Sequence, residues 1–336
     1  MPEASVLNSR RVVLRSLVYV FFLGLAIHFI LPQLTSMRAA ADTLSDLQGY
    51  WLLAAVGAQI LSYIASGGLI RACVQLSGEK VSLGRGILVE LAANTVGTLG
   101  GGFIGTAMTS YRWVRNRGVS QKAAAVSGWL PPLINNCVLI FLANWGLLIL
   151  LVRNQMSRLM LSLVILLEIL VVAALFGIGW GLRHQAGVRA LAERAYGLWT
   201  RLLRKPFDSD VVHSTMDELF SSIGLLLEGN WREPLLWSVL NVGFDSATLV
   251  FLFHAVRRPA MAGLLVAGYA LPQLLGKVLM LPGGVGAVEA SMIGLYATLG
   301  ISRAKGVLVV LSYRALSFWI PTLAGLAIVP YLERKK

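Results

Sequence analysis

The stretch Met280-Leu-Pro-Gly-Gly-Val-Gly-Ala-Val-Glu-Ala-Ser-Met292 places three glycines, one proline and one carboxylate between two long apolar runs. Proline and glycine break helices, and a glutamate is costly in hydrocarbon. Irregular backbone at membrane depth is tolerated only where it is packed in protein or lines a cavity. The stretch therefore predicts a helix that breaks at Pro282-Gly-Gly284 and restarts with amides that favour a negative charge.

Composition places this break in a membrane protein. Of the 336 residues, 57% are hydrophobic and 13% are charged, whereas soluble domains usually carry about 25% charged residues. The first apolar segment, 16–34, lacks a cleavage site and is interpreted as a signal anchor. Full spans are predicted at 16–34, 50–70, 124–152, 159–182, 234–256 and 306–330.

Charge and cysteine content exclude other classes of protein. The net charge of +13 is typical of basic loops held against anionic lipid, so no nucleic acid partner is predicted. The two cysteines have no metal-type spacing, and neither a metal nor another cofactor is predicted.

A second apolar region, about 86–111, is interrupted by glycines in the same way as 260–300. A constant offset in residue number, which sets Leu99 on Leu281, aligns identical residues at five positions. This alignment, which we call the repeat offset, predicts an internal duplication within a single transmembrane domain. The aligned residues of the first copy are Leu99, Gly101, Gly102, Gly118 and Ser120. The domain is predicted to consist of repeat 1 (about 50–152), a linker (183–233) and repeat 2 (about 234–330).

Positive charge predicts the orientation of these segments. Both flanks of the first broken region are basic, which predicts a re-entrant hairpin that enters and leaves on the cytoplasmic side. Three full spans separate it from the second, so the two hairpins are expected to face opposite sides as inverted repeats. The predicted fold is an all-α polytopic membrane protein with about six full spans, two re-entrant helical hairpins and cytoplasmic termini.

The linker 183–233 has helical periodicity. Leu191, Ala195, Leu198 and Leu202 recur on one face, and basic residues lie between them. This pattern predicts a basic amphipathic helix on the membrane surface. An ordinary loop helix without lipid contact is the alternative.

Several motifs resemble one known family. Leu281-Pro-Gly-Gly-Val-Gly-Ala-Val-Glu289, Leu299-Gly-Ile-Ser302, Ser312-Tyr-Arg314 and Phe318-Trp-Ile-Pro321 resemble the C-terminal signature of the lysylphosphatidylglycerol synthase transmembrane-region family, often called flippase-like. Leu99-Gly-Gly-Gly102 through Tyr111-Arg112 and Arg117-Gly118 resemble its N-terminal half. The resemblance implies an integral membrane protein that handles lipid-linked anionic headgroups between two re-entrant hairpins. A stand-alone member is expected, without the aminoacyl-transferase domain of the full synthases, so only translocation is inherited.

Charged residues of the second repeat are the first site candidates. Glu289 is predicted to orient a headgroup or carry a proton, with capping of neighbouring amides as the alternative. Arg314 would cost about 2.5–3.5 kcal/mol unpaired, which predicts a partner for Glu289 or a phosphate ligand, with a structural ion pair as the alternative. Lys277 suits a phosphate or snorkels to an interface. Asp245 is expected to pair with Lys277 or Arg314.

In the first repeat, Glu90 and Asn94 lie one turn apart and are predicted to face the same cavity, unless they serve helix packing. Arg112 would bind a headgroup at the cytoplasmic mouth or act as an anchoring charge. The predicted translocation site comprises Lys277, Pro282, Gly283, Gly284, Gly286, Glu289, Arg314, Asp245, Glu90, Asn94, Gly101, Gly102 and Arg112.

These features predict a transporter. His-Glu-x-x-His, Gly-x-Ser-x-Gly and phosphate-loop motifs are absent from the sequence, so no enzymatic activity is predicted. The expected function is movement of an anionic phospholipid or polyprenyl-linked lipid between leaflets of the bacterial cytoplasmic membrane. The alternatives are a membrane-embedded lipid-modifying enzyme, a subunit of envelope lipid or glycan synthesis, and a structural organiser. The sequence leaves self-association and a lipid-synthesis partner open.

Overall fold

A computed structural model of the chain describes most of the sequence after residue 47. The described residues contain helices and no strand. They are 48–98, 102–116, 118–152, 183–202, 209–225, 231–257, 262–278 and 282–333, with isolated positions between 165 and 181.

Ten helices occupy the described ranges, and four of them are long and apolar enough to cross a membrane. These four, α1, α4, α7 and α10, coincide with four of the predicted spans. The predicted spans 16–34 and 159–182 lie outside the continuously described residues. The helices are α1 Gly49–Gln75, α2 Leu83–Val96, α3 Gly102–Arg115, α4 Gln121–Val152, α5 Gln185–Leu202, α6 Ser209–Leu225, α7 Arg232–Ala255, α8 Ala262–Val278, α9 Ala287–Thr298 and α10 Arg303–Glu333.

Both glycine-rich regions form helical hairpins in which two short arms pack against each other. Helices α2 and α3 each have 14 residues, and α8 and α9 have 17 and 12. At 1.5 Å per residue, these arms are about 18–26 Å long, which is less than the roughly 30 Å of a hydrocarbon core. Each arm is therefore too short to cross the membrane as a straight perpendicular helix.

Backbone conformation explains the breaks. Gly283, Gly284 and Gly286 have φ values of 61°, 64° and 84°, and Gly102 has a φ of 52°. This left-handed region is open to glycine and costs other residues about 1–2 kcal/mol each. Glycine therefore lets the chain leave the helix and restart it within a few residues.

Helix boundaries in the two halves of the chain correspond at the repeat offset. Helix α2 ends at Val96 and α8 at Val278, and α4 begins at Gln121 and α10 at Arg303. The glycines that precede α4 and α10, Gly118 and Gly300, have nearly equal φ values of 81° and 83°. The correspondence thus extends from five aligned residues to the order and extent of helices.

Helices α1 and α7 pack against each other in antiparallel orientation. The Gln48 N–H donates to the Ala255 carbonyl over 3.1 Å at one end of the pair. Near the other end, a Cβ added to Gly68 would lie only 2.5 Å from the Trp237 ring. Small residues let membrane helices approach closely, and here they allow contact along most of both helices.

The hairpins pack on the long helices of the opposite half. Helix α2 contacts the Ile320–Glu333 part of α10, and α8 contacts α4. The outer surface of the long helices is apolar, since Leu53, Phe141 and Leu323 are 74%, 70% and 65% exposed. Buried polar residues such as Ser238 and Thr248 lie inside. This distribution suits a protein surrounded by lipid.

The linker forms two helices, α5 and α6, where the sequence predicted one. Arg189 is paired with Asp217, and His213 Nε2 lies 2.9 Å from Glu193 Oε1, so polar side-chain contacts join the two helices. Helix α6 also packs against α4. The exposed Leu191 lies on α5, whose position at a membrane surface stays a prediction.

One flanking charge has a structural partner. Arg85, a basic residue in the first turn of α2, is buried, and its Nη2 donates to the Trp113 carbonyl over 2.8 Å. A guanidinium is favourable there because carbonyls at the end of α3 carry partial negative charge.

Candidate functional site

The second break is held by a buried ion pair between Glu289 and Arg314. Arg314 Nε lies 2.6 Å from Glu289 Oε1, and the two side chains are 4% and 5% exposed. The other carboxylate oxygen, Oε2, accepts the Gly286 N–H over 2.7 Å. Arg314 Nη2 donates to the Gly283 carbonyl over 2.8 Å. Three elements of the second half, the turn, α9 and α10, are thus tied together.

We name these four residues, Gly283, Gly286, Glu289 and Arg314, the clamp. The Arg314 guanidinium also lies over the Phe318 ring, 4.1 Å from its centroid. Both oxygens of Glu289 therefore have partners, so amide capping and ion pairing occur together. The amide groups at the restart of the helix are predicted to attract a substrate anion. One of them, the Gly286 N–H, already binds the Glu289 carboxylate. Translocation roles for the clamp residues stay predictions.

Asp245 is bound by tyrosine hydroxyl groups. Its Oδ2 accepts from Tyr269 over 2.7 Å and from Tyr313 over 2.8 Å. Gln273 Nε2 in turn donates to the Tyr313 hydroxyl over 2.8 Å. Within the described residues neither Lys277 nor Arg314 forms a direct salt bridge with Asp245, although both cations act on it electrostatically. Neutral donors from α8 and α10 satisfy this carboxylate instead.

Lys277 points into the protein from the last turn of α8. Its Nζ donates to Asn136 Oδ1 over 2.5 Å, which joins α8 to α4. The Lys277 side chain is exposed. Lys277 also interacts electrostatically with Asp245 and Glu90. It therefore faces carboxylates of both halves of the chain.

Glu90 and Asn94 lie on the same face of α2. Asn94 Nδ2 donates to Glu90 Oε1 over 2.6 Å, and the Ser66 side chain of α1 is hydrogen-bonded to Glu90. The charge of Lys277 acts on Glu90. The structure therefore brings together five polar side chains from four helices, which we name the central cluster: Glu90, Asn94, Asn136, Asp245 and Lys277.

The two breaks meet near the clamp. Thr98, the last described residue before the first break, has its Cγ2 3.2 Å from the place a Cβ would take at Gly283. Gly101 lies outside the described residues, whereas Gly102 begins α3. Arg112 is exposed in the last turn of α3, and no hydrogen bond within the described residues joins it to the central cluster.

Sequence reasoning missed several polar contacts between the spans. Ser238 donates to Asn135 Oδ1 over 2.6 Å, and Asn135 donates to Asn241 Oδ1 over 2.9 Å. Asn241 then donates to the Ser62 carbonyl over 2.9 Å. Asn135-Asn136 within an apolar span was the available signal, because polar residues there usually face other helices.

A further missed contact involves a local change of helix type. Residues Ala315–Trp319 of α10 form a π-helical segment, which alters the regular α-helical hydrogen bonds. The Ser317 carbonyl there accepts the Tyr63 hydroxyl over 2.8 Å. The segment follows Arg314 directly, so α1 supports the α10 region that carries the clamp.

Comparison with known proteins supports the family resemblance. A family model described as the lysylphosphatidylglycerol synthase TM region matches residues 10–325. Two relatives from Methanothermobacter thermautotrophicus, both named UPF0104 membrane protein, are similar over part of their length. One is 26% identical over 204 residues, which cover 57% of this chain and 58% of the relative. The other is 25% identical over 170 residues, 48% of each.

The chain spans about half the length of the curated relatives that it matches. The family model, in contrast, covers nearly the whole sequence and includes both hairpins, α1, α4 and α7 in full and α10 as far as residue 325. The chain belongs to the lysylphosphatidylglycerol synthase transmembrane-region family.

Proposed function

We propose that this protein moves an anionic phospholipid or a lipid-linked anionic headgroup between the two leaflets of a membrane. The central cluster carries this proposal. It places an accessible ammonium group, Lys277, among polar side chains and inside a ring of apolar helices. An ionisable side chain within the membrane region is a functional-site hypothesis by default.

Inverted repeats would expose the central cluster to each side of the membrane in turn. Helices α1 and α7 are equivalent at the repeat offset, yet they run antiparallel in direct contact. Two equivalent antiparallel helices are related by a two-fold axis perpendicular to them, which lies in the membrane plane if they span it. The reciprocal packing of α2 on α10 and of α8 on α4 obeys the same symmetry.

The short arms support re-entrant hairpins. In this arrangement α2–α3 and α8–α9 enter from opposite sides, and their breaks meet near Thr98 and Gly283. Irregular backbone at that depth needs protein or a cavity around it, and the clamp packs protein groups around the second break.

The proposed cycle begins when a headgroup phosphate enters the central cluster from one leaflet. Lys277 Nζ binds a phosphate oxygen, and the amide groups of Asn136 and Asn94 donate further hydrogen bonds. The acyl or prenyl chains stay in lipid while the repeats rock about the pseudo-two-fold axis. In this cycle the clamp positions the second break, and the headgroup binds at the central cluster.

The basic loops favour a bacterial cytoplasmic membrane with cytoplasmic termini. A transport role without catalysis is proposed, because Lys277 and its neighbours suit binding more than covalent chemistry.

Reconstitution tests the proposal. The full chain in liposomes should translocate a headgroup-dependent subset of leaflet-reporter lipids from a panel of phospholipids and a polyprenyl phosphate. Lys277→Met should lower the rate at least ~10-fold, since it removes a charge-assisted hydrogen bond. Lys122→Met, at an exposed position on the first turn of α4, should not. Absence of translocation across the panel would refute transport, and conversion of a lipid to a new product would instead identify an enzyme.

A further inference from the structure

We propose that the central cluster couples headgroup binding to the uptake of one proton, and that Glu90 receives it. This inference rests on the proposed function, because it requires an anionic headgroup at Lys277. It adds a second transported species to the lipid and replaces Glu289 as the candidate proton carrier.

Charge balance leads to this inference. Arg314 and Glu289 neutralise each other within the clamp. The central cluster then contains one ammonium, Lys277, and two carboxylates, Glu90 and Asp245, which interact electrostatically with it. A phosphodiester bound at Lys277 would add a third negative charge around a single cation. Like charges disfavour ionisation when they lie close together in a low dielectric, so one carboxylate should bind a proton as the headgroup arrives.

Hydrogen bonds distinguish the two carboxylates. Asp245 accepts hydroxyl groups from Tyr269 and Tyr313, and the charge of Arg314 also acts on it. These groups stabilise a negative charge on Asp245 whether or not a headgroup is present. Asp245 is therefore the less suitable carboxylate for proton uptake.

Glu90 is supported by fewer groups. Its partners are the neutral side chains of Asn94 and Ser66, and its cation is Lys277, the group that a phosphate would engage. Tyr63 of α1 is a further titratable neighbour, and it interacts with both carboxylates and with Arg314. Glu90 is partly exposed, so a proton can reach it from solvent. The proton adds to a Glu90 carboxylate oxygen, and no covalent bond breaks.

Protonation of Glu90 has a mechanical consequence. Glu90 lies on the first hairpin and Lys277 on the second. Their attraction therefore holds together the two elements that must separate as the repeats rock. Binding of phosphate to Lys277 and of a proton to Glu90 removes that attraction, so the loaded state is the one that can move.

Calorimetric titration of the purified full chain with dioctanoyl-phosphatidylglycerol tests the coupling. The phosphodiester keeps its charge from pH 6 to 8, so proton exchange originates in the protein. Titration in two buffers with different ionisation enthalpies should give one proton taken up per lipid bound. Where Glu90 is ionised in the free protein and protonated in the complex, affinity should fall about tenfold per unit rise in pH.

Matched variants assign the proton. Glu90→Gln, which keeps the bond from Asn94, should abolish proton uptake and bind at pH 8 as tightly as at pH 6. Asp245→Asn removes one of the three negative charges and should therefore take up less than one proton per lipid bound, and Glu333→Gln, at the exposed end of α10, should match the original protein.

Lipid binding without proton uptake, or uptake that survives Glu90→Gln, would overturn this inference and leave the proposed transport intact. Failure to bind any lipid of the panel at any pH would remove both.

Discussion

The two hairpins share a backbone pattern but differ in charge. Each has two short arms, a glycine-rich break and a positive-φ glycine before the next long helix. At the repeat offset, however, the positions of Glu289 and Arg314 are occupied by Ala107 and Pro132 in the first half. A clamp is therefore not needed to break a helix. Its presence in the second hairpin indicates that this break is fixed in place.

The first hairpin is held by neutral contacts in its described part. Thr106 Oγ1 donates to the Gly102 carbonyl over 3.1 Å within α3, and Thr95 Oγ1 donates to the Thr322 carbonyl of α10 over 3.2 Å. Neutral hydrogen bonds contribute less than a buried charged network does. We therefore expect the first hairpin to be the more mobile of the two.

Removal of the clamp cation, Arg314, should cause the largest loss of stability, because in the described part of the chain only the second hairpin depends on a buried ion pair. Arg314→Leu leaves Glu289 buried without its cation and should lower the free energy of unfolding by about 3–5 kcal/mol. Thermal unfolding in detergent measures the loss. Arg314→Leu combined with Glu289→Leu should recover most of it, since the unpaired charge is gone. Equal losses in the single and double variants would contradict the ion-pair explanation.

Glycine substitutions compare the breaks directly. Gly283→Ala should cost about 2–3 kcal/mol, because the left-handed backbone penalty adds to a clash of the new Cβ with the Phe318 ring. Gly102→Ala should cost only about 1–2 kcal/mol. The left-handed backbone penalty applies here too, but no atom lies within 4 Å of the new Cβ. The midpoint of thermal unfolding should rank the variants in this order. A greater loss at Gly102 would show that the first break is the more tightly packed.

The smallest effect is expected at Tyr63. At the repeat offset, Tyr63 on α1 occupies the position that Asp245 occupies on α7. Tyr63→Phe removes the hydrogen bond to the Ser317 carbonyl and should lower the free energy of unfolding by about 1 kcal/mol. Lipid transport should change less than it does in Lys277→Met. If Tyr63→Phe abolished transport while leaving stability unchanged, the π-helical segment would be part of the moving machinery rather than a support.

The sequence predicted the elements better than their contacts. Long apolar runs of about 20 residues specify spans, and Pro282-Gly-Gly284 specifies a break, because these are local properties of the chain. Glu289 and Arg314 could be matched because both lie near that break. Asp245 could not, since its partners Tyr269 and Tyr313 lie on other helices and are indistinguishable in sequence from apolar core residues.

The sequence by itself determined that this is a multi-pass membrane protein of a known family, with two interrupted helices at equivalent positions. Hydrocarbon imposes those features, because it rejects unpaired backbone and charge wherever they occur along the chain. Only the tertiary structure decided which charges neutralise each other and which stay accessible. That outcome depends on the approach of α1, α2, α4, α7 and α8, which brings together side chains such as Glu90 and Lys277 that lie far apart in sequence.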